Sequence, residues 1–347
     1  MKIGKVTENI FKRSVLQQIK TKRCEMVNGA GPGEDCAIFS LNSLFSDSKN
    51  DGHVMISCLK GGSLPVAAVL QKCENTLAAR GSQPVAVALN ILLPSHAEEE
   101  LLKEIMMEAE LFCGACNIQI AQADSQVTEA VKEAYVTASM YGAAAVPGMQ
   151  ISAAAFHTAK GARPGQDIVM SKWIGLEGTA ILADRRRESI LERYPAWLAE
   201  EAAGFEKYLS TVPEAAVAMK SGVCAMQNLS EGGVFAALWE LAEGAGVGLT
   251  IELKKLPIRQ ETVEICNLCN INPYELLSGG SLLMTTSDGP GLVTALETEG
   301  IPAVIVGKIT DSNDRLILND EEVRYLDRPH ADSIYENLKV PGEGTPF

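Results

Sequence analysis

Aromatic residues are scarce in this chain of 347 residues: Phe, Trp and Tyr make up 5% of it, although 46% of the residues are hydrophobic. Gly, Pro or a charged residue interrupts every apolar run before it reaches the length needed to cross a bilayer. The first five residues carry positive charge, but no apolar segment follows them as it does in a secretory signal. We therefore expect a cytoplasmic protein with no membrane partner.

Basic residues are also fewer than acidic residues in this chain. The chain has 30 Lys and Arg residues against 44 Asp and Glu residues, which gives a formal net charge of −14. Binding to a nucleic-acid backbone depends on clustered Lys and Arg, so no nucleic-acid partner is expected. The one basic run, Arg185-Arg186-Arg187, lies in an amphipathic stretch over 181–198 with acidic neighbours. We interpret it as a solvated helix face rather than a phosphate-binding patch.

Nine cysteines are too few for a disulfide scaffold in a chain of this length. Two pairs have C-x-x-C spacing, Cys113/Cys116 and Cys266/Cys269. A thioredoxin-like pair opens a helix after a strand, whereas Cys113 and Cys116 close a predicted helix. We interpret both pairs as small buried residues near helix ends, and a shared zinc site is the alternative. The motifs GxxxxGK[ST] and GxGxxG are absent, which excludes P-loop and dinucleotide-binding folds.

Strand-like and helix-like segments alternate along the chain, which predicts a mixed α/β (α+β) fold in two domains. The clearest strands are predicted over 54–57, 85–93, 118–123, 134–141 and 167–171, and the clearest helices over 65–79, 98–112, 234–242 and 258–269. The segment Ala143–Gln150, with Pro147-Gly148 inside it, is the predicted linker. We place an N-terminal domain at 1–146, a C-terminal domain at 147–330 and a tail at 331–347.

Two adjacent carboxylates, Glu34 and Asp35, follow a glycine turn at Gly33 and precede an apolar strand. Oxygen ligands at such a corner suit Mg²⁺ that bridges protein and phosphate. Gly, Pro and Asp are also common in turns that bind no ligand, so the corner by itself is interpreted as a polar turn.

Two further polar positions in the first half are candidates for the same site. Asp124 directly follows the apolar run 118–123, and a carboxylate at a strand end is well placed to contact a ligand. Asn75 lies with Glu74 and Thr76 in the helix predicted over 65–79. Each of these positions has a plain alternative, as a loop start for Asp124 and as a solvent-facing helix position for Asn75.

Two glycine-rich turns in the second half lead into helices, the first of them directly after a strand. Glycine at a helix start lets an anion approach the backbone N–H groups. The first turn contains Gly175, Gly178 and Thr179, and the second contains Gly232 and Gly233. Ser230 is placed to cap the helix that follows the second turn. Helix capping and close packing explain these glycines as well as phosphate binding does.

The order of these segments is more specific than any one of them. The corner Gly33-Glu34-Asp35-Cys36-Ala37 comes first, then residues 75–84 (NTLAARGSQP), Asp124, residues 172–179 (KWIGLEGT), Glu231-Gly232-Gly233 and residues 272–280 (NPYELLSGG). From about Gly4 to Leu326 this order resembles the AIR synthase-related superfamily, and its second half is most similar to HypE-type hydrogenase-maturation proteins.

The resemblance implies an N-terminal sheet that builds a dimer barrel, a C-terminal α/β domain and a homodimer. It further implies ATP with Mg²⁺ bound in a groove that involves the N-terminal domain. By position in the family pattern, the resemblance implies that Asp35, with Glu34 beside it, and Asp124 are metal ligands. The candidate nucleotide- or phosphate-binding residues are Asn75, by position in the family pattern, and the residues of the glycine turns, Gly33, Gly175, Gly178, Thr179, Gly232 and Gly233.

The chain departs from the family pattern at several positions. Cys58 and Thr76 stand where relatives carry acids, and Gln122-Ala123 replaces a Gly-Gly pair. HypE-type proteins carry an acceptor cysteine at the C-terminus, whereas the last cysteine here is Cys269. The preferred hypothesis is ATP-dependent phosphoryl transfer or dehydration, with the acceptor substrate or maturation partner unidentified. The alternatives are a non-catalytic homodimer with a degenerate metal site that serves in assembly, and a small-metabolite kinase resembling thiamine-monophosphate kinase.

Overall fold

A computed structural model describes residues 7–40, 51–63, 65–147 and 156–337. The chain divides into two compact units. The N-terminal unit comprises described residues in the ranges 21–30 and 34–157, and the C-terminal unit those in the ranges 7–20, 31–33 and 158–337. The first described helix, α1 (Glu8–Ser14), is thus part of the C-terminal unit. The predicted domain boundary at 146/147 lies eleven residues before the division at 157/158.

The N-terminal unit is a six-stranded sheet with two helices. Its strands are β1 (Met26–Asn28), β2 (Ala37–Ser40), β3 (Asp51–Ser63), β4 (Gln83–Leu93), β5 (Gln119–Val127) and β6 (Tyr135–Pro147), in the sheet order β1-β2-β3-β6-β4-β5. Its helices are α2 (Val66–Ala78) and α3 (Glu99–Cys116). Strands β4 and β5 are parallel, with α3 as their crossover, and all other neighbours are antiparallel.

Alternation of side chains along the central strands gives this sheet a buried face and an open face. In β3, Val54, Ile56 and Cys58 are buried, whereas Leu59 is 64% exposed. The buried face and apolar residues of α2 and α3, such as Leu70 and Ile105, form one hydrophobic core. The helices therefore cover one face of the sheet only.

The C-terminal unit contains a seven-stranded sheet in the order β13-β12-β9-β11-β7-β10-β8. Its strands are β7 (Asp167–Ser171), β8 (Ala225–Asn228), β9 (Gly248–Glu252), β10 (Leu282–Thr286), β11 (Ala303–Thr310), β12 (Arg315–Asn319) and β13 (Glu322–Tyr325). Besides α1, its helices are α4 (Leu176–Arg185), α5 (Arg187–Arg193), α6 (Ala196–Ala203), α7 (Val212–Lys220), α8 (Gly233–Ala245), α9 (Gln260–Cys269), α10 (Gly289–Thr298) and α11 (Ile334–Asn337). Strands β9 and β12 are parallel and the other pairs antiparallel.

Helix α8 supplies much of the core of this unit, because Val234, Leu238 and Leu241 are fully buried against the sheet. A second core joins α4, α6 and α9 through residues such as Leu182, Ala199 and Ile265. The two-domain α/β fold and most of the predicted strands and helices are confirmed. No helix among the described residues is both long and apolar enough to span a membrane.

Three predictions from the sequence are wrong in detail. Residues Ala143–Pro147 of the predicted linker belong to β6, because they pair with β3 as far as Asp51, while residues 148–150 lie outside the described residues. Asp124 lies inside β5 rather than after it, because pairing with β4 extends β5 to Val127. The stretch over 181–198 contains parts of three helices, since regular helix ends at Arg185 and again before Pro195.

Candidate functional site

The corner formed by Glu34 and Asp35 opens onto a shallow pocket of about 270 Å³ in the N-terminal unit. The turn before β2 supplies the two acids, and β3 and β6 supply the floor. The residues that line the pocket are Ala30, Glu34, Asp35, Cys36, Ala37, Ser57, Cys58, Leu59, Ser139 and Tyr141. The register of the sheet explains this, since Ala37 pairs with Ser57 and Ser57 pairs with Tyr141.

Both acids of the corner receive a hydrogen bond from a side chain of the same unit. The Nδ2 atom of Asn28 donates to Oε2 of Glu34 at 2.7 Å. The ammonium of Lys60 lies 3.2 Å from Oδ1 of Asp35, and each of these two side chains is 24% exposed. Burial by itself lowers the pKa of Lys60, but the Asp35 carboxylate outweighs that effect and the pKa is raised. Lys60 is therefore a permanent cation beside the predicted metal ligand.

Two thiols line the pocket next to these acids, and both belong to the buried core. The Sγ atom of Cys58 donates to the carbonyl of Cys73 at 3.5 Å, and that of Cys36 donates to the carbonyl of Thr76 at 3.7 Å. Burial raises the pKa of Cys36 to about 12. Contact with the Cys73 thiol and burial raise the pKa of Cys58 as well. Cys58, at a position where the family resemblance implies an acid, is thus a neutral group.

Asn75 and Thr76 lie on α2 and are both buried. The Nε2 atom of Gln71 donates to Oδ1 of Asn75 at 3.0 Å, and the hydroxyl of Thr76 donates to the carbonyl of Lys72 at 2.7 Å. Neither residue lines the pocket. The hydroxyl of Thr76 is used within its own helix, as is common for threonine at such positions.

Asp124 occupies an exposed position on the edge strand β5, opposite Asn90 of β4. Its Oδ1 atom accepts a hydrogen bond from the backbone of Ser125 at 3.0 Å. Asp124 does not line the pocket that contains Glu34 and Asp35. The structure thus brings two of the three predicted metal ligands together and leaves the third on a different part of the sheet.

Magnesium requires about six oxygen ligands in near-octahedral geometry. Within the described ranges, no group of three or more His, Cys, Asp and Glu side chains is arranged to hold a metal ion. The side-chain donors at the pocket are two carboxylates that already accept hydrogen bonds, two protonated thiols and the hydroxyls of Ser57, Ser139 and Tyr141. These residues alone do not complete the ligand shell of a protein-bound Mg²⁺.

The predicted phosphate-binding residues of the first glycine turn serve packing in the C-terminal unit. The N–H of Gly175 donates to Oγ of Ser278 at 2.8 Å, and the N–H of Gly178 donates to the carbonyl of Leu277 at 2.8 Å. A Cβ atom on Gly178 would lie 2.5 Å from the side chain of Leu276, so this glycine allows a close approach of α4. The fully buried hydroxyl of Thr179 contacts that of Thr262 at 3.0 Å.

The second glycine turn opens α8 and is capped by a residue distant in sequence. The N–H of Gly232 donates to Oδ2 of Asp332 at 2.9 Å, and Oδ1 of Asp332 accepts from Ile334 at 3.0 Å. The predicted cap Ser230 instead offers its carbonyl to Gly233 at 3.1 Å. The expectation that Ser230 caps α8 is therefore wrong, because a buried carboxylate already occupies the helix N-terminus.

Gly33 also packs against α8. Its φ of +70° and a hypothetical Cβ at 2.6 Å from the carbonyl of Glu240 both require glycine. The C-x-x-C pairs lie at the ends of α3 and α9 as predicted, with Cys113 and Cys266 buried and Cys116 and Cys269 partly exposed. Burial raises the pKa of Cys116 to about 12, and likewise that of Cys266.

Sequence reasoning missed two functional-site features, Lys60 and Asp332. The alternation of β3 could have indicated Lys60, because it lies two residues after Cys58 and so on the same face. No sequence signal marks Asp332, since its partner lies 100 residues away.

Comparisons with known proteins find similar sequences and similar structures. Residues 163–319 match the model of the AIR synthase related protein, C-terminal domain. The carbamoyl dehydratase HypE of Rhodobacter capsulatus is 27% identical over 67% of this chain and 66% of its own length. A putative hydrogenase expression/formation protein of Methanocaldococcus jannaschii is 24% identical over 95% of this chain and 96% of its own. The chain thus spans just under two thirds of the first relative and nearly all of the second.

Solved structures share the fold at low identity. The structure of a HypE–HypF complex matches with a TM-score of 0.70 and 18% identity, over 92% of this chain and 99% of that one. HypE in complex with ATP matches with a TM-score of 0.64 and 14% identity, over 81% and 87%. ThiL complexed with AMPPCP and TMP matches with a TM-score of 0.65 and 15% identity, over 91% and 95%. Residues 163–319 thus match the AIR synthase-related C-terminal domain, and the chain as a whole is similar to the HypE proteins.

Proposed function

We propose that this protein binds ATP or a related nucleotide and that the pocket of the N-terminal unit receives its phosphates. The observation that carries the proposal is the pocket at Glu34 and Asp35, which lies at the corner implied by the family resemblance and where the Lys60 ammonium contacts Asp35. Support comes from the fold, which is shared with HypE in complex with ATP and with ThiL bound to AMPPCP.

For the reaction, we propose ATP-dependent phosphoryl transfer or dehydration of the HypE type, in which catalysis is mainly positioning and charge neutralisation. The partner would be a maturation protein, by analogy with the HypE–HypF complex. A non-catalytic assembly role is the second candidate. The neutral Cys58 and the pairing of Asp35 with Lys60 favour that second candidate, because both reduce the negative charge available to a metal–triphosphate unit.

We also propose a homodimer that buries the open face of the N-terminal sheet. Leu59 and Tyr135 are 64% and 40% exposed, and Val85 of the neighbouring β4 is 56% exposed. The ring of Tyr135 lies over Gly61, where a Cβ atom would be 2.8 Å from the tyrosine oxygen. Exposed apolar side chains on the helix-free face of a sheet suit a second copy of the chain as cover.

Calorimetric titration of the full chain with ATP tests the nucleotide proposal, and the absence of binding up to about 1 mM ATP would reject it. The exposed Glu100→Gln on α3 is the matched control for Asp35→Asn. ATP turnover that Asp35→Asn abolishes and Glu100→Gln leaves intact would establish the enzyme. No turnover despite binding would establish the assembly role. Turnover that requires thiamine monophosphate would instead indicate a small-metabolite kinase.

A further inference from the structure

Lys60 is placed to act as a built-in cation beside Asp35, one of the residues that line the pocket. It lies on β3, and its Nζ atom is 3.2 Å from Oδ1 of Asp35. An ammonium has three N–H donors, and among the described residues Asp35 is its one hydrogen-bond and ion-pair partner. Lys60 is not among the residues that line the pocket, but its ammonium contacts the lining residue Asp35 and its side chain is 24% exposed.

The same position is unfavourable for a divalent cation. A metal ion bound to Asp35 would lie close to the ammonium and be repelled by it. Glu34 accepts a hydrogen bond from Asn28, and the neighbouring Cys36 and Cys58 offer soft sulfur atoms, each directed at a backbone carbonyl, rather than hard oxygen ligands. The donor set therefore matches a site whose positive charge comes from the protein itself.

We propose that Lys60 replaces a protein-bound divalent cation at Asp35, and that this pocket takes the phosphate groups of its ligand without Mg²⁺. The phosphate half of this inference rests on the proposed function. The metal half does not, because it concerns only whether Asp35 and Glu34 bind a divalent cation. The two halves are therefore tested with separate probes.

The first probe is Mn²⁺ alone, titrated into the full chain while electron paramagnetic resonance records free Mn²⁺. Wild type and Lys103→Met, a control on the exposed lysine of α3, are expected to leave Mn²⁺ free. Lys60→Met is expected to bind about one Mn²⁺, and Lys60→Met/Asp35→Asn to lose it again. Lys60→Gln, which keeps a donor to Asp35, provides a second variant in case Lys60→Met does not fold. Stoichiometric Mn²⁺ binding by wild type that Asp35→Asn abolishes would overturn the inference, as would Mn²⁺ left free by both folded Lys60 variants.

The second probe is a fluorescent ATP analogue, titrated in EDTA and in excess Mg²⁺. For wild type, the affinity in EDTA and the affinity in excess Mg²⁺ are expected to agree within about threefold. For Lys60→Gln, the affinity in EDTA is expected to be about tenfold lower than that of wild type. Affinity at least tenfold higher in Mg²⁺ for wild type would overturn the inference. Binding under neither condition would reject the proposed function and the phosphate half with it, and the Mn²⁺ experiment would still decide the role of Lys60.

Discussion

The carboxylate of Asp332 accepts a hydrogen bond from the backbone N–H of Gly232 at 2.9 Å, so the N-terminus of α8 is capped by a residue 100 positions away. Asp332 is 4% exposed. This single contact ties the segment after β13 to the helix at the centre of the C-terminal core. A glycine turn that resembles an anion site is thus occupied by an anion of the protein itself.

Replacing Asp332 with Ala is expected to destabilise the C-terminal unit by about 1–2 kcal/mol, because the cap is lost and two buried N–H groups lose their acceptor. All three tryptophans of the chain, Trp173, Trp197 and Trp239, lie in this unit. Urea unfolding followed by tryptophan fluorescence therefore reports on it. The exposed Asp327→Ala is the matched control, and equal unfolding midpoints for the two variants would contradict the capping role.

The C-terminal unit is also expected to lose stability in acid through Glu243. Its carboxylate contacts the ammonium of Lys12 on α1 and, at 2.6 Å, the guanidinium of Arg315 on β12. The hydrogen bond from Lys12 outweighs burial and, with that from Arg315, lowers the pKa of Glu243 from 4.5 to about 2. A depressed carboxyl pKa stabilises the fold above the unfolded-state value, and this stability is lost as the pH falls towards 2.

Glu243→Gln should therefore cost about 1–2 kcal/mol at pH 7, and the loss should shrink as the pH falls from 5 to 2. Unfolding monitored by tryptophan fluorescence over this pH range measures the effect. Glu297→Gln, at an exposed position on α10, serves as the control. Parallel pH profiles for wild type and Glu243→Gln would show that the contacts with Lys12 and Arg315 contribute nothing.

A buried ion pair joins the end of β7 to α7. The ammonium of Lys172 contacts Oε1 of Glu214 at 2.6 Å and donates to the carbonyls of Tyr208 and Ser210, each at 2.7 Å. The two charged side chains are 8% and 2% exposed. Lys172→Met should cost about 3–5 kcal/mol, because it leaves the Glu214 charge buried without its cation.

Adding Glu214→Gln to Lys172→Met should recover part of the lost free energy of unfolding, because the amide replaces the buried carboxylate that has no cation partner. Chemical unfolding of both single variants and the double variant completes the cycle. Strict additivity of the three free energies of unfolding would exclude coupling between Lys172 and Glu214.

Sequence periodicity was enough to predict most of the architecture. Three predicted elements appear in the structure with nearly the predicted bounds, because the spacing of their apolar residues matches the one face that each buries. They are the helices over 65–79 (α2) and 98–112 (α3) and the strand over 85–93 (β4). Pairing between strands sets the end of β5, which the local sequence pattern did not predict. Residues 124–127 are exposed and look like a loop, yet they extend β5 because β4 supplies backbone partners up to Leu93.

The candidate site was predictable only in part, for a related reason. Glu34 and Asp35 are adjacent in sequence, so their shared pocket follows from the local turn. The ion pair between Asp35 and Lys60 depends on the register of β2 against β3, and the contact between Asp332 and Gly232 depends on the return of the chain after β13. Long-range pairs of this kind leave no spacing signal in one sequence.

Leu59 is expected to determine the oligomeric state through the open face of the N-terminal sheet. It is 64% exposed on the face of β3 that the helices do not cover. Wild type should have twice the mass of one chain by light scattering, and Leu59→Lys should be monomeric, because a buried lysine at a dimer interface is costly. Leu111→Lys, at a position that is 77% exposed on α3, should remain dimeric. Monomeric wild type at about 50 μM would reject this dimer. Dissociation of the dimer in both variants would show that the open face alone does not form the interface.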